Sequence, residues 1–186
     1  MYRIRNTQKQ TILLQQNKRI LKTSDLAVLW GVENKNTLYT TIKRFTQKEI
    51  LFSIQKGMYA TIPIVKLDKY ELGCAISGSL SYVSAETVLQ NSGVIMQNVS
   101  KITLFGEKTE EIRFNDVVYF CKKMDPKFLI NRKGIEDKAH YSVATLERAV
   151  ADILFINPKY YFDNKTPINI EKVDDINISL GYKTEK

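Results

Sequence analysis

Four acid-x-lysine tripeptides are the pattern in this sequence that comes nearest to metal-dependent nuclease chemistry. They begin at Glu33, Asp125, Glu136 and Asp163. In such enzymes carboxylates hold a divalent cation, and a nearby lysine stabilises the charge that develops on the phosphate. Given the abundance of acids and lysines in the chain, about two such tripeptides are expected by chance. Four therefore carry little weight, and we predict that the protein is not an enzyme.

Other catalytic and metal-binding arrangements lack their partners. His140 is the only histidine, so a Ser-His-Asp or Cys-His mechanism would have to use it. The sequence has no G-x-S-x-G elbow, P-loop or G-x-G-x-x-G motif. Cys74 and Cys121 stand apart in apolar surroundings without a C-x-x-C motif, which favours structural thiols over a metal site. We expect no metal and no cofactor.

The positive charge of the chain is concentrated in its first third. The formal net charge is +8. Residues 1–66 contain 12 Lys or Arg and 3 Asp or Glu, whereas residues 67–186 contain 16 and 17. This segregation indicates an anionic partner for the first third alone, and nucleic acid is the leading candidate. A merely solvated basic surface is the alternative that composition leaves open.

A helix predicted over residues 34–49 carries polar and basic side chains on one face. Leu38, Ile42 and Phe45 follow the i, i+4, i+7 pattern and are expected to face inward. The opposite face offers the amides, hydroxyls and cations that base edges and phosphates require. With a lysine from the hairpin described below, the candidate DNA-binding residues are Lys35, Asn36, Thr37, Tyr39, Thr40, Lys43, Arg44, Gln47 and Lys56.

Two further helices must position this face. The first is predicted to begin near Asn6, and the second to be capped by Ser24 and ended by Gly31. Asn34 is the predicted cap of the third helix, which carries the polar face. A short helix, a turn and a longer helix form the helix-turn-helix layout.

A small hairpin follows the third helix directly. Residues 51–54 and 58–62 are predicted strands, and Gly57 supplies the positive φ of their turn. A two-stranded ribbon after a helix-turn-helix is typical of a wing, and Lys56 at its tip can reach a phosphate or a minor groove. We therefore predict a winged helix-turn-helix domain in residues 1–66.

Residues 67–186 are predicted to form a separate, mixed α/β domain, so that the fold class of the chain is α+β. Helices are expected at residues 69–76, after Ser84 and after Thr145, with a short helix near the C-terminus. Three short runs of strand type within residues 102–121, separated by turn-type residues, predict a small antiparallel meander. The segments 128–131 and 140–143 are predicted as further strands.

Three motifs, taken in order, resemble the AbiEi family of antitoxins from type IV toxin–antitoxin systems. They are KGMYATIP at 56–63, SYVSAETVL at 81–89 and VATLERAVADIL at 143–154. The family often has a proline where Leu146 stands. The matching polar positions of the second domain are Ser84, Glu86, Glu147, Arg148 and Asp152.

The resemblance implies a DNA-binding repressor of its own operon with a C-terminal antitoxin domain. Its partners would be double-stranded DNA of its own promoter, with inverted repeats as one possible operator form, and a nucleotidyltransferase-like toxin. Whether the toxin is bound directly stays open. A structural interpretation of the matching residues is also open, because Ser84 can cap a helix and Arg148 and Asp152 are spaced as an i, i+4 ion pair.

Two other functions remain as alternatives at this point. One is a ligand-responsive winged-helix regulator without a toxin partner, in which the meander belongs to an effector domain. The other is an enzyme, for instance a nuclease. The sequence contains no signal-type segment and no apolar run of about 18 residues, so we expect a cytoplasmic protein without a membrane partner.

Overall fold

The computed structural model describes residues 6–182 and has a mixed α+β fold. The chain divides into two compact units, Met1–Asp68 and Lys69–Lys186. The elements of the first unit are α1 (Asn6–Leu14), β1 (Ile20–Lys22), α2 (Thr23–Trp30), α3 (Lys35–Gln47), β2 (Phe52–Gln55) and β3 (Met58–Ala60), followed by a 3-10 turn at Ile64–Lys66.

The helices and the hairpin of the first unit lie where the sequence pattern places them, but strand β1 was not predicted. It pairs antiparallel with β3, so the strand order is β1-β3-β2. A three-residue strand is too short to show a period of two, and β1, unlike β3, adjoins no hairpin turn that would mark it in the sequence.

The predicted cap at Ser24 is wrong. Helix α2 begins at Thr23, and its N-cap is Lys22, two residues before the predicted cap. The backbone N–H of Lys22 donates to Asp25 Oδ2 at 3.0 Å, so the carboxylate at the third helical position satisfies the amide that precedes the helix. Ser24 is consequently an exposed residue of the first helical turn.

The core of the first unit centres on Trp30. Its ring meets Phe45 edge-on at 5.2 Å between centroids, and its Nε1 donates to the carbonyl of Lys9 at 3.2 Å. Burying this indole with its N–H satisfied fixes α2 against α3 and α1. The buried apolar side chains that share this core are Leu13, Leu21, Leu26, Leu38, Ile42 and Leu51.

The second unit consists of a mixed sheet with helices packed around it. Its elements are α4 (Lys69–Ser77), β4 (Tyr82–Val83), α5 (Ala85–Asn91), β5 (Lys101–Gly106), β6 (Glu110–Phe114), β7 (Val117–Lys123), α6 (Pro126–Ile130), β8 (Ile135–Asp137), β9 (Ser142–Ala144), α7 (Leu146–Ile156) and α8 (Ile170–Leu180). Within the described range the strand order is β6-β7-β5-β4-β9-β8, with β5 parallel to β7 and β4 parallel to β9.

The predicted antiparallel meander is therefore wrong in its order. A meander would place β6 between β5 and β7, which would bring Glu110, Glu111 and Arg113 to the middle of the sheet. Instead β6 forms a hairpin with β7 at the sheet edge, and β5 occupies an inner position. From Ile102 to Gly106 every residue of β5 is buried, as expected for a strand covered on both faces. Charged side chains suit an edge strand.

The strand predicted at residues 128–131 is a helix. Asp125 accepts the backbone N–H of Lys127 at 3.0 Å, and Pro126 occupies the first helical position. This pair of start signals is visible in the sequence and outweighs the short apolar run that follows it. The strand predicted at 140–143 overlaps β9, and β8 pairs with it as a hairpin.

Candidate nucleic-acid interface

Helix α3 is fixed at its start by the predicted cap. The side chain of Asn34 accepts the backbone N–H of Thr37 at 3.0 Å. Leu38, Ile42 and Phe45 are buried, as the periodicity predicted, and each is at most 5% exposed. The inward face therefore holds the helix on the core, and the remaining face is left to solvent.

The predicted DNA-binding residues lie on this outward face. Tyr39 is 54% exposed although its ring is large and apolar. The exposed members of α3 are Lys35, Asn36, Tyr39, Thr40, Lys43, Arg44 and Gln47, and Thr37 is half-buried. Thr40 Oγ1 donates to the carbonyl of Asn36 at 2.7 Å, so its hydroxyl is oriented by the helix and presents acceptor lone pairs outward.

The cations of this surface have no acidic partners among the residues that the structure describes. Within residues 6–182, none of Lys35, Lys43, Arg44 and Lys56 takes part in an ion pair. Asp25 instead pairs with Lys18 at 2.8 Å. Partial burial opposes the ionisation of Asp25, but Lys18 and the Lys22 amide outweigh it and hold its pKa below the usual value. The positive charge around α3 is thus not neutralised locally and is available to an anionic ligand.

The hairpin turn is anchored rather than free. Gly57 has a φ of +79°, as the turn requires. Its carbonyl accepts the backbone N–H of Thr23 at 2.9 Å and the hydroxyl of Thr23 at 3.3 Å. Lys56, beside it, is exposed. The turn that bears Lys56 is therefore held in place by its hydrogen bonds to Thr23, the first residue of α2.

A depression of about 430 Å³ lies between α3 and the hairpin. The residues that line it are Tyr39, Ile42, Lys43, Thr46, Gln47, Ser53 and Tyr59. Sequence reasoning missed Ser53 and Tyr59 as site residues. They are directly opposed on β2 and β3, and this cross-strand pairing is the signal that a predicted hairpin register would have provided.

The second unit brings Arg148 and Asp152 together in its interior. Both side chains are fully buried, and Arg148 Nε donates to Asp152 Oδ1 at 2.8 Å. The other nitrogens of Arg148 donate to the carbonyls of Phe128, Asn131 and Lys133 and to the hydroxyl of Tyr82, at 2.8–3.1 Å. Every N–H of the guanidinium is thereby used, so this residue is a structural link rather than an open site.

Asp152 is equally well satisfied. Its Oδ1 also accepts the hydroxyl of Tyr182 at 2.7 Å, and its Oδ2 accepts the hydroxyls of Tyr82 at 2.8 Å and Ser84 at 3.4 Å. Such convergence of donors is the pattern of an ionised carboxylate. Burial raises the pKa of Asp152, whereas Arg148 and the hydroxyls oppose that rise.

The cap predicted at Ser84 is consequently wrong in its chemistry. Ser84 does occupy the N-cap position of α5, but its side chain makes no capping hydrogen bond. Ala85 has a φ of +48°, and the Ser84 hydroxyl is directed to Asp152 instead. Thr145, by contrast, caps α7 as predicted by accepting the N–H of Arg148 at 3.3 Å.

The two glutamates that match the AbiEi pattern lie apart from this buried cluster. Glu86 pairs with Lys122 at 2.5 Å, and its Oε2 is buried without a hydrogen bond among the described residues. Glu147 is half-buried in the first turn of α7, where a negative charge is favoured by the helix dipole.

The acids of the four acid-x-lysine tripeptides are distributed over different elements. Asp125 caps α6, and Asp163 accepts the backbone N–H of Met96 at 2.7 Å. Glu136 in β8 pairs with Lys138 at 2.7 Å, the lysine of its own tripeptide. Glu33 is exposed in the turn before α3. Three of the four acids thus form hydrogen bonds or ion pairs within the fold.

No protein-family model matches the chain, and no curated protein matches it. Among the described residues no helix is long and apolar enough to cross a membrane.

Proposed function

We propose that the first unit is a winged helix-turn-helix that binds duplex DNA. Helix α3 would enter the major groove with Asn36, Thr40 and Gln47 toward the base edges, and Lys43 and Arg44 toward the phosphates. The observation that carries the proposal is the charge of the outward face of α3, whose cations form no ion pair with any described residue. The opposite face of α3 is buried in the core.

The hairpin extends this surface in the proposal. Lys56 is exposed on a turn that Thr23 holds by two hydrogen bonds, so its position relative to α2 is defined. A cation presented from a fixed turn loses less conformational freedom on binding than one on a mobile loop. Lys56 would contact a phosphate or the adjacent minor groove.

The cellular role we propose is repression of its own operon combined with antitoxin activity in the cytoplasm. The three AbiEi-like motifs support this assignment, with a nucleotidyltransferase-like toxin as the functional partner. Two motif residues, Arg148 and Asp152, maintain the fold of the second unit, so their match to the family pattern is explained by structure. We propose that the protein acts without catalysis.

The experiment that tests DNA binding is a salt titration with a duplex from the protein's own promoter. Each phosphate contact contributes about −0.9 to the slope of log affinity against log salt concentration. Lys56→Ala should weaken binding to promoter and random duplexes alike and make this negative slope shallower by about 0.9. Lys108→Ala, an exposed lysine of the second unit, is the matched control.

Base recognition requires a separate measurement. Asn36→Ala should reduce the preference for promoter over random DNA by roughly 1–3 kcal/mol while leaving the salt slope unchanged. A slope near zero for the unaltered protein would show that the basic face is only solvated, and the proposal would be wrong.

A further inference from the structure

The depression between α3 and the hairpin is lined in part by side chains whose hydrogen-bonding groups the neighbouring described residues do not use. Ser53 and Tyr59 supply hydroxyl groups from the sheet, and Gln47 and Lys43 supply an amide and an ammonium from the helix. No Asp or Glu is among the described residues that line it. Its walls therefore offer neutral donors and one cation, and no negative charge opposes an anion.

This combination matches one kind of nucleic-acid group. Phosphodiester oxygens accept hydrogen bonds from Lys, Ser and Tyr side chains, and each linkage carries a single negative charge. A free phosphate or nucleotide carries more charge and is usually enclosed by several cations or backbone amides. The single ammonium of Lys43 in a shallow depression fits the phosphodiester better.

The position of the depression relative to α3 agrees with this ligand. An α-helix with its side chains is about 10–12 Å wide, and the major groove is about 12 Å wide. A helix in the groove is therefore flanked closely by the sugar–phosphate strands that form the groove walls. The depression lies directly beside α3, where one of those strands would pass.

We infer that the depression seats the phosphodiester backbone of one DNA strand, with the hydroxyls of Ser53 and Tyr59 and the ammonium of Lys43 as donors. The inference rests on the proposed function, because it requires α3 to enter duplex DNA. It assigns binding roles to Ser53 and Tyr59, and it makes the outer surface of the hairpin strands, and not only the Lys56 turn, part of the interface.

The test begins with Tyr59→Phe and Ser53→Ala, each of which removes one hydroxyl. Tyr59 packs partly against the core, so the phenylalanine preserves that contact. Each variant should bind both promoter and random duplexes roughly two- to tenfold more weakly. The salt slope should not change, because no charge is lost. Tyr161→Phe, an exposed tyrosine of the second unit, should leave affinity unchanged.

Neutral methylphosphonate linkages, placed singly along the promoter duplex, locate the seated phosphate. At that linkage the methylphosphonate should lower the affinity of the unaltered protein. It should lower the affinity of the Tyr59→Phe variant by less, because that variant already lacks the hydrogen bond to this phosphate. Additive losses at every linkage would overturn the inference. If the unaltered protein binds and Lys43→Ala weakens it while Tyr59→Phe does not, the inference fails and the proposed function stands.

Inorganic phosphate distinguishes a free anion from a DNA strand. In a ¹H–¹⁵N NMR titration without DNA, the amide signals of Ser53 and Tyr59 should not show saturable shifts with phosphate. Saturable shifts at those amides would identify a free anion as the ligand and overturn the inference. An absence of salt-dependent duplex binding by the unaltered protein would overturn both proposals.

Discussion

Arg148 and Asp152, one turn apart on α7, form an ion pair in which neither side chain is accessible to solvent. The pair does more than join one helical turn to the next. Arg148 holds the carbonyls of the segment from α6 to β8, and Asp152 holds hydroxyls from β4 and from the residue after Gly181. Elements far apart in sequence thus depend on a single charged pair.

Asp152→Asn should destabilise the second unit by about 3–5 kcal/mol. The substitution leaves the guanidinium of Arg148 buried without a counter-charge, and it places amide N–H groups where hydroxyl donors now point. Urea unfolding followed by far-UV circular dichroism measures the effect. Asp174→Asn on the exposed face of α8 is the matched control and should change stability by less than about 0.5 kcal/mol.

A double substitution distinguishes the interaction between Arg148 and Asp152 from the separate contribution of each side chain to stability. Arg148→Met with Asp152→Leu should cost less than the sum of the two single changes, since neither charge is then left alone. Costs that add would contradict a direct dependence of one side chain on the other.

Tyr182→Phe should destabilise the second unit by about 1.5–3 kcal/mol, the range for a hydrogen bond to a charged group. The variant removes the hydroxyl that donates to Asp152 Oδ1 at 2.7 Å but retains the ring, which stacks on Phe155 at 4.2 Å. Urea unfolding measures the loss. Tyr161→Phe, at an exposed tyrosine, should be neutral, and an equal loss in both variants would contradict the prediction.

Several features that depend on residues close together in the sequence were predicted correctly. Asn34 and Thr145 cap their helices because each side chain needs only a backbone N–H three residues away. The inward face of α3 followed from periodicity, since Leu38, Ile42 and Phe45 share one stripe. The same periodicity gave the exposed polar face of the candidate DNA interface.

Contacts between distant residues account for what the sequence did not predict. The hydroxyl of Ser84 bonds to Asp152, 68 residues away, which no capping rule anticipates. The i, i+4 spacing of Arg148 and Asp152 predicts a pair, but its complete burial depends on Tyr82 and Tyr182. A predicted hairpin register would have paired Ser53 with Tyr59. It would not have shown that both line a depression beside α3, because that depends on how the sheet packs.

Stability should fall in alkaline solution because of the two buried thiols. Burial raises the pKa of both Cys74 and Cys121 from 9.0 to about 11. Above pH 9 the unfolded chain releases these protons while the folded chain retains them, so the thiol contribution is complete below pH 9 and is lost as the pH rises toward 11. A shift of this size corresponds to at most about 3 kcal/mol per thiol.

Cys121→Ala isolates one of these contributions. Between pH 8 and pH 10.5 the free energy of unfolding should fall less in this variant than in the unaltered protein, whatever the cost of the substitution at neutral pH. Ser100→Ala, at an exposed position without a titrating group, should retain the full pH dependence. Equal falls in all three proteins would show that the Cys121 thiol does not titrate as described.

The two proposed activities should be separable by charge. Lys43 and Arg44 are exposed on α3, outside the buried face of Leu38, Ile42 and Phe45, so their reversal to glutamate should leave the first unit folded. Fluorescence of Trp30, the only tryptophan, reports that fold because its ring contacts Phe45 of α3. An unchanged emission spectrum and urea midpoint would establish that any lost binding is not lost structure.

The Lys43→Glu, Arg44→Glu variant should lose promoter binding by at least about tenfold, because like charges then face the DNA backbone. It should still protect cells that express the proposed nucleotidyltransferase-like toxin, since the residues that build the second unit are untouched. Lys108→Glu with Lys123→Glu changes the net charge equally on exposed lysines of the second unit and should retain promoter binding. Gel-shift titration and toxin-rescue growth assays measure the two activities on the same proteins. If the α3 variant is folded but gives no protection, antitoxin activity requires DNA binding, and the division of labour between the two units is wrong.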